Sequence, residues 1–307
     1  MIKFKSRGFW MILLLFAISM AGCARPSDLD RVGTMTVTVS IAPQQYFVSR
    51  ITGDDVRVNV MVEPGASPAT YEPKPEQLAA LSQSAAYFSI GVPFENIWLD
   101  RIADANPDMR IVDTTEGIER VPIEAHTHEG EGEEEHEDEH DHAEGAPDPH
   151  IWLSPSLVKI QARTIAEALI DLDPERQSTY QENLTAFLAD IEALEATIEE
   201  TLSGVENRKF LVFHPSWGYF AEDFGLEQIA IEVGGQEPSA RELAALITLA
   251  QEEQIRVVFA QPEFSTEDAS TIAEEIEGEV IMVSPLAVDW LDNMSKVADT
   301  FAAALNR

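Results

Sequence analysis

Seven histidines occur in this chain, and six of them fall between positions 126 and 150. Five of these (His126, His128, His136, His140 and His142) are strung through the tract HTHEGEGEEEHEDEHDH, among nine acidic residues. His150 follows in Asp148-Pro149-His150-Ile151-Trp152-Leu153-Ser154-Pro155, and His214 stands apart in Phe213-His214-Pro215. Imidazole is the commonest protein ligand for zinc and similar divalent ions, so the chemistry to which this distribution points is metal binding. Gly, Glu and Asp deny the tract the apolar surface that folding requires, so it reads as a disordered loop that collects metal weakly at several places. His150 and His214 differ, because each sits beside a proline at a constrained loop start and loses little freedom on binding. Zinc takes about four ligands, so carboxylates, water or a tract histidine must join the pair. Glu63, Glu237, Glu263 and Asp289 are the candidate carboxylates, and Gln261 is a further ligand or supporting group.

The elements that must position these residues follow from hydrophobic periodicity. Strands are predicted at 35–41, 56–62, 85–90 and 109–113, with a turn into a short helix from Pro43 and helices over 75–83 and 93–103. After the tract, Ser154-Pro155 caps and opens a helix, and a second proline-led start at Asp173-Pro174 precedes apolar residues Leu184, Phe187, Leu188, Ile191, Leu194, Ile198 and Leu202. That spacing predicts one long helix from Pro174 to Ser203, roughly 45 Å at 1.5 Å per residue, which bridges two halves. Beyond it, strands are expected at 209–213, 228–232, 256–259 and 279–283, alternating with helices at 217–224, 239–252, 265–275 and 289–305. The fold class is therefore α/β, with two lobes, each a roughly four-stranded parallel sheet flanked by helices, joined by one long rigid helix. Domain limits are expected at 34–172 for the first lobe, including the disordered loop 126–146, at 173–204 for the linking helix and at 205–307 for the second lobe. Ligands of open parallel sheets bind beyond the carboxyl ends of the strands. His214, the 63–70 loop, Gln261-Pro262-Glu263 and Ser284-Pro285 all fall at such ends.

Composition narrows the function classes. Fifty-five acidic against 20 basic residues give a net charge of −35, which excludes the basic surface that nucleic-acid binding needs. Residues 1–22 read as an export signal: Lys3, Lys5 and Arg7 precede an apolar run, Phe9 to Met20, that is short for a membrane span. Met20-Ala21-Gly22-Cys23 places the only cysteine where a lipid would be attached, with 23–33 as a tether; a disulfide within the chain is impossible.

The order of these motifs resembles a known family. A lipoprotein-type leader, PGASPATYEPKP (64–75), the His-rich loop, DPHIWLSP (148–155), the long helix, FHPSWGYFAEDFGL (213–226), EPSARE (237–242) and SPLAVDW (284–290) are similar to the metal-binding solute-binding lipoproteins of zinc and manganese ABC transporters. The resemblance spans essentially the whole mature chain. It implies a monomeric receptor, lipid-anchored through Cys23 on the outer face of the cytoplasmic membrane. Such a receptor holds zinc, manganese or another divalent metal between its lobes and hands it to an ABC permease; it is not an enzyme. His150 and His214 match the family's second and third ligand positions, whereas Ala69 stands at the first and Ser284 at the fourth. The family's Glu-Pro-Gln reads Gln261-Pro262-Glu263 here, with the carboxylate moved by two places. Two other readings follow from the residues: the small side chains at 69 and 284 suit a metal chelate or other small solute, and two histidines with a glutamate can hold a catalytic zinc in a secreted metalloenzyme. A surface adhesion lipoprotein is a further class with no supporting motif.

Overall fold

Runs such as Thr36–Val39 (TVTV) and Val257–Ala260 (VVFA) carry the β-branched and apolar side chains that suit a sheet covered on both faces, and each forms a central strand. A computed structural model describes residues 35–123, 146–232, 236, 238–264 and 266–306. The first sheet contains β1 (Thr36–Val39), β2 (Arg57–Val60), β3 (Ala86–Ser89) and β4 (Arg110–Asp113) in the order β2-β1-β3-β4. The second contains β5 (Lys209–Val212), β6 (Glu227–Ala230), β7 (Val257–Ala260) and β8 (Glu279–Met282) in the order β6-β5-β7-β8. All neighbours are parallel, so the two lobes repeat one topology. The expected strands extend beyond these ladders; at 35–41 the chain has already bent at Ser40 and Ile41 into the next helix.

Helices α1 (Ala42–Thr52), α2 (Pro75–Ala80), α3 (Pro93–Ala105) and α4 (Pro155–Leu172) serve the first lobe, and α6 (Gly218–Phe224), α7 (Ala240–Glu252), α8 (Glu267–Glu275) and α9 (Trp290–Leu305) the second. Between them lies α5 (Gln177–Leu202). The long helix expected from Pro174 to Ser203 is present; its first turn, Pro174–Arg176, is 3₁₀ and the α-helix proper starts at Gln177. Arg176, at φ −101° and ψ 9°, leaves the α conformation and separates the two. Ala146, the last residue of the expected loop, is described, and its O accepts a hydrogen bond from Ile123 N at 3.0 Å. The export signal 1–22, the tether with Cys23, the five tract histidines and Glu237 lie outside the described residues.

The periodic residues Phe187, Ile191, Leu194, Ile198 and Leu202 are buried along α5, which packs on α1 and α4 of the first lobe and on α9 of the second. One continuous apolar cluster consequently runs from Val37 and Phe47 through α5 to Phe210, Phe259 and Phe301. A separate cluster fills the other face of the second sheet beneath α7 and α8.

Two tryptophans fasten the lobes across this core. Trp290 Nε1 donates to Trp152 O at 2.6 Å, and Trp152 Nε1 donates to Pro285 O at 2.7 Å. Both rings are 1% exposed, and that of Trp290 meets Phe47 of α1 edge-on at 5.4 Å. Their indole N–H groups are thus satisfied although water is excluded. Trp290→Phe is expected to leave the Trp152 carbonyl unpaired and a gap beside Phe47, costing roughly 2–4 kcal/mol in chemical denaturation.

Candidate metal centre

The site begins where β5 ends. His214 follows that strand, and the amide of Gln261, which follows β7, holds its backbone on both sides: His214 N donates to Gln261 Oε1 at 3.3 Å, and Gln261 Nε2 donates to His214 O at 2.7 Å. Gln261 Nε2 also reaches Ser216 Oγ at 3.1 Å. Gln261 is therefore a bracket for the histidine loop, with both ends of its amide engaged. The His214 ring stacks on Phe264 at 4.5 Å with a 20° tilt.

His150 arrives from the other lobe at the end of a short stem. Asp148 N donates to Val121 O at 2.8 Å, and Pro122 and Pro147 form an antiparallel bridge. Tyr219 in α6 closes both strands of this stem, accepting from Val121 N at 3.2 Å and donating to Asp148 O at 3.0 Å. Burial, and then the nearby Asp148, push its hydroxyl pKa up to about 12, so it remains a donor. Gly218 permits the approach, since a Cβ there would stand 3.2 Å from Asp148 Oδ2.

The two histidines meet at Nε2, 3.3 Å apart, with ring centroids 5.2 Å apart. Behind each ring stands a carboxylate: Asp148 Oδ1 lies 2.6 Å from His150 Nδ1, and Glu232 Oε2 lies 2.8 Å from His214 Nδ1. These partners assign the proton of each neutral imidazole to Nδ1, so both Nε2 lone pairs face the same point. Two nitrogens bound at about 2.0–2.1 Å to a tetrahedral ion lie about 3.3–3.4 Å apart, which is the separation found. The pair has the geometry of two metal ligands.

Asp148 and Glu232 were not singled out by sequence reasoning. Asp148 lay inside the quoted DPH motif, two residues before His150. Glu232 ended a predicted strand, at the edge where ligands are expected.

A cavity of about 70 Å³ surrounds the pair. The first lobe contributes Pro68, Ala69, Val92 and Pro93, and the second contributes Glu263, Phe264, Pro285 and Leu286. The walls are mostly apolar, which strengthens any charge interaction within. The structure brings His150, His214 and Glu263 to this cavity. It places Glu63 elsewhere, in an exposed ion pair with Lys74 at 2.7 Å, and Asp289 is exposed at the start of α9, where its carbonyl accepts from Asn293 N. Ser284 accepts from Leu286 N through its hydroxyl and from Asn293 Nδ2 through its carbonyl. Among the described residues no group of three His, Cys, Asp or Glu side chains closes on one ion.

Burial lowers the His214 pKa below its ordinary value, and His150 adds to that effect while Glu232 opposes it. The Glu263 pKa is raised, again by burial. A neutral imidazole and a desolvated carboxylate in one apolar cavity both favour a cation.

A family model described as zinc-uptake complex component A, periplasmic, matches residues 37–304. The high-affinity zinc uptake system protein ZnuA of Bacillus subtilis is 29% identical over 295 residues, covering 92% of this chain and 89% of that one. The manganese-binding lipoprotein MntA of Halalkalibacterium halodurans is 24% identical, covering 97% and 98%. A crystal structure of ZnuA superposes with a TM-score of 0.81 at 46% identity, covering 89% of this chain and 99% of that one.

Asp148→Asn or Glu232→Gln is expected to weaken zinc binding roughly 10–100-fold by misdirecting one imidazole, measured by competition with a chromophoric chelator. Ligation needs neutral imidazole, and His214 stays neutral below its usual value. The His214 contribution to zinc affinity is therefore expected to persist as pH falls past the ordinary imidazole value of about 6.5 and to be lost only at lower pH, in the same assay across pH.

Proposed function

The chain belongs to the zinc-uptake complex component A family, and from that premise we propose that it is an extracytoplasmic receptor. On this reading it captures a divalent metal ion, zinc in the first place, between its two lobes and delivers it to the permease of an ABC transporter. The observation that carries the proposal is the pair of Nε2 atoms 3.3 Å apart, each ring backed by a carboxylate. Imidazole nitrogens favour zinc over manganese, which prefers oxygen donors. The cavity supports a bare ion over a chelate, because about 70 Å³ falls well short of the roughly 300 Å³ at which small-molecule pockets begin.

Export by residues 1–22 and a lipid on Cys23 would tether a single chain beside its permease, with no catalytic step of its own. His126, His128, His136, His140 and His142 then act as a collector. The described ends of their tract, Ile123 and Ala146, are hydrogen-bonded to each other, and Ile123 also lines the cavity, so ions caught there are released next to the pair. Weak multiple binding in the tract and tight binding at the pair are separate populations.

Zinc titration of the metal-stripped mature protein is expected to show more than one ion bound, in a tight and a weak phase. His150→Ala with His214→Ala abolishes the tight phase. Deleting residues 126–142 lowers the stoichiometry and spares it. A tight phase that survives the double substitution would overturn the assignment.

A further inference from the structure

Four buried side-chain polar atoms among the described residues have no hydrogen-bond partner: Gln161 Oε1, Tyr180 OH, Trp217 Nε1 and Glu263 Oε2. Only the last belongs to an acid, and only Glu263 of the four residues lines the cavity around His150 and His214. A buried carboxylate oxygen with no donor is costly, and such an atom calls for a partner.

The chain around Glu263 is fastened to His214 itself. Gln261, two residues earlier, bonds both backbone sides of His214, and Phe264, one residue later, stacks on its ring. Phe264 N closes the turn on Gln261 O at 3.3 Å. The turn that carries Glu263 is thereby held against His214, and Glu263 lines the same cavity as the two imidazoles. On the other wall Ala69 offers no donor atom, and the remaining acids of the cluster, Asp148 and Glu232, are engaged on the Nδ1 side of the rings.

Resting on the reading of His150 and His214 as the metal site, we propose that Glu263 is the third protein ligand of the captured ion. As placed, the three groups do not converge on one point, and ligation requires the Glu263 carboxylate to turn about its side-chain bonds toward the ion while the turn stays in place. The resulting set of two nitrogens and one oxygen leaves a fourth, open position on zinc for water. It also places one negative charge in direct contact with the dication.

The test compares the full mature protein with Glu263→Gln, Glu263→Asp and the double variant His150→Ala with His214→Ala. Chelator competition measures tight zinc binding, the visible d–d absorption of bound cobalt(II) reads the donor set, and thermal unfolding of the metal-free proteins checks folding. Glu263→Gln is expected to weaken the tight phase about 100-fold or more, since even outer partners cost roughly 10–100-fold. It also shifts the cobalt bands and leaves metal-free unfolding no lower than wild type. Glu263→Asp, which keeps the charge, retains more affinity than the glutamine variant. Unchanged affinity and an unchanged cobalt spectrum in Glu263→Gln, alongside a double variant that loses the tight phase, overturn the role of Glu263 alone. A double variant that keeps the tight phase overturns both readings together.

Discussion

Two nitrogen lone pairs aimed at one another across 3.3 Å are an unfavourable arrangement unless a cation relieves it. Everything near the pair serves to keep it so. Asp148 and Glu232 hold the protons on the far sides of the rings, Gln261 grips the His214 backbone, and Phe264 covers its face. The pair belongs to neither lobe alone, since one ring hangs from the stem after the first sheet and the other from the end of β5. Correct geometry at the ion is therefore a property of how the lobes are joined.

That joint is unusually solid for two α/β units. The apolar cluster does not stop at a boundary but passes along α5 into both lobes, and the Trp152 and Trp290 indoles cross between them with their N–H groups satisfied. Interiors of this density deform little. A continuous apolar core with satisfied indoles resists relative movement of the two rings, which favours a constant nitrogen separation.

Much of this was legible in the residues. Short apolar or alternating runs marked the strands, the three- and four-residue spacing from Leu184 to Leu202 marked α5, and His150 and His214 stood out because so few histidines lie outside the tract. Their supports were harder to see. Glu232 lies 18 residues from His214, and nothing local distinguishes it from the many other acids of a very acidic chain. Glu63 looked equally suitable by its loop position, yet Lys74 stands 2.7 Å away and neutralises it at the surface. Such choices depend on distances that only the folded chain sets. The break at Arg176 was likewise invisible, because the proline-led start and the apolar stripe both suit a helix, and only the backbone angles separate them.

The stem of paired residues at 121–123 and 146–148 has an implication for how proteins of this kind diversify. Its ladder and the Tyr219 clamp are made by described residues that flank the insertion. Each doubling of an inserted loop adds only about 0.6 kcal/mol of closure cost. The insertion could thus change in length or composition at little cost to the stem that carries His150. On the proposed reading, scavenging capacity and binding strength would then be two separately adjustable traits of one chain.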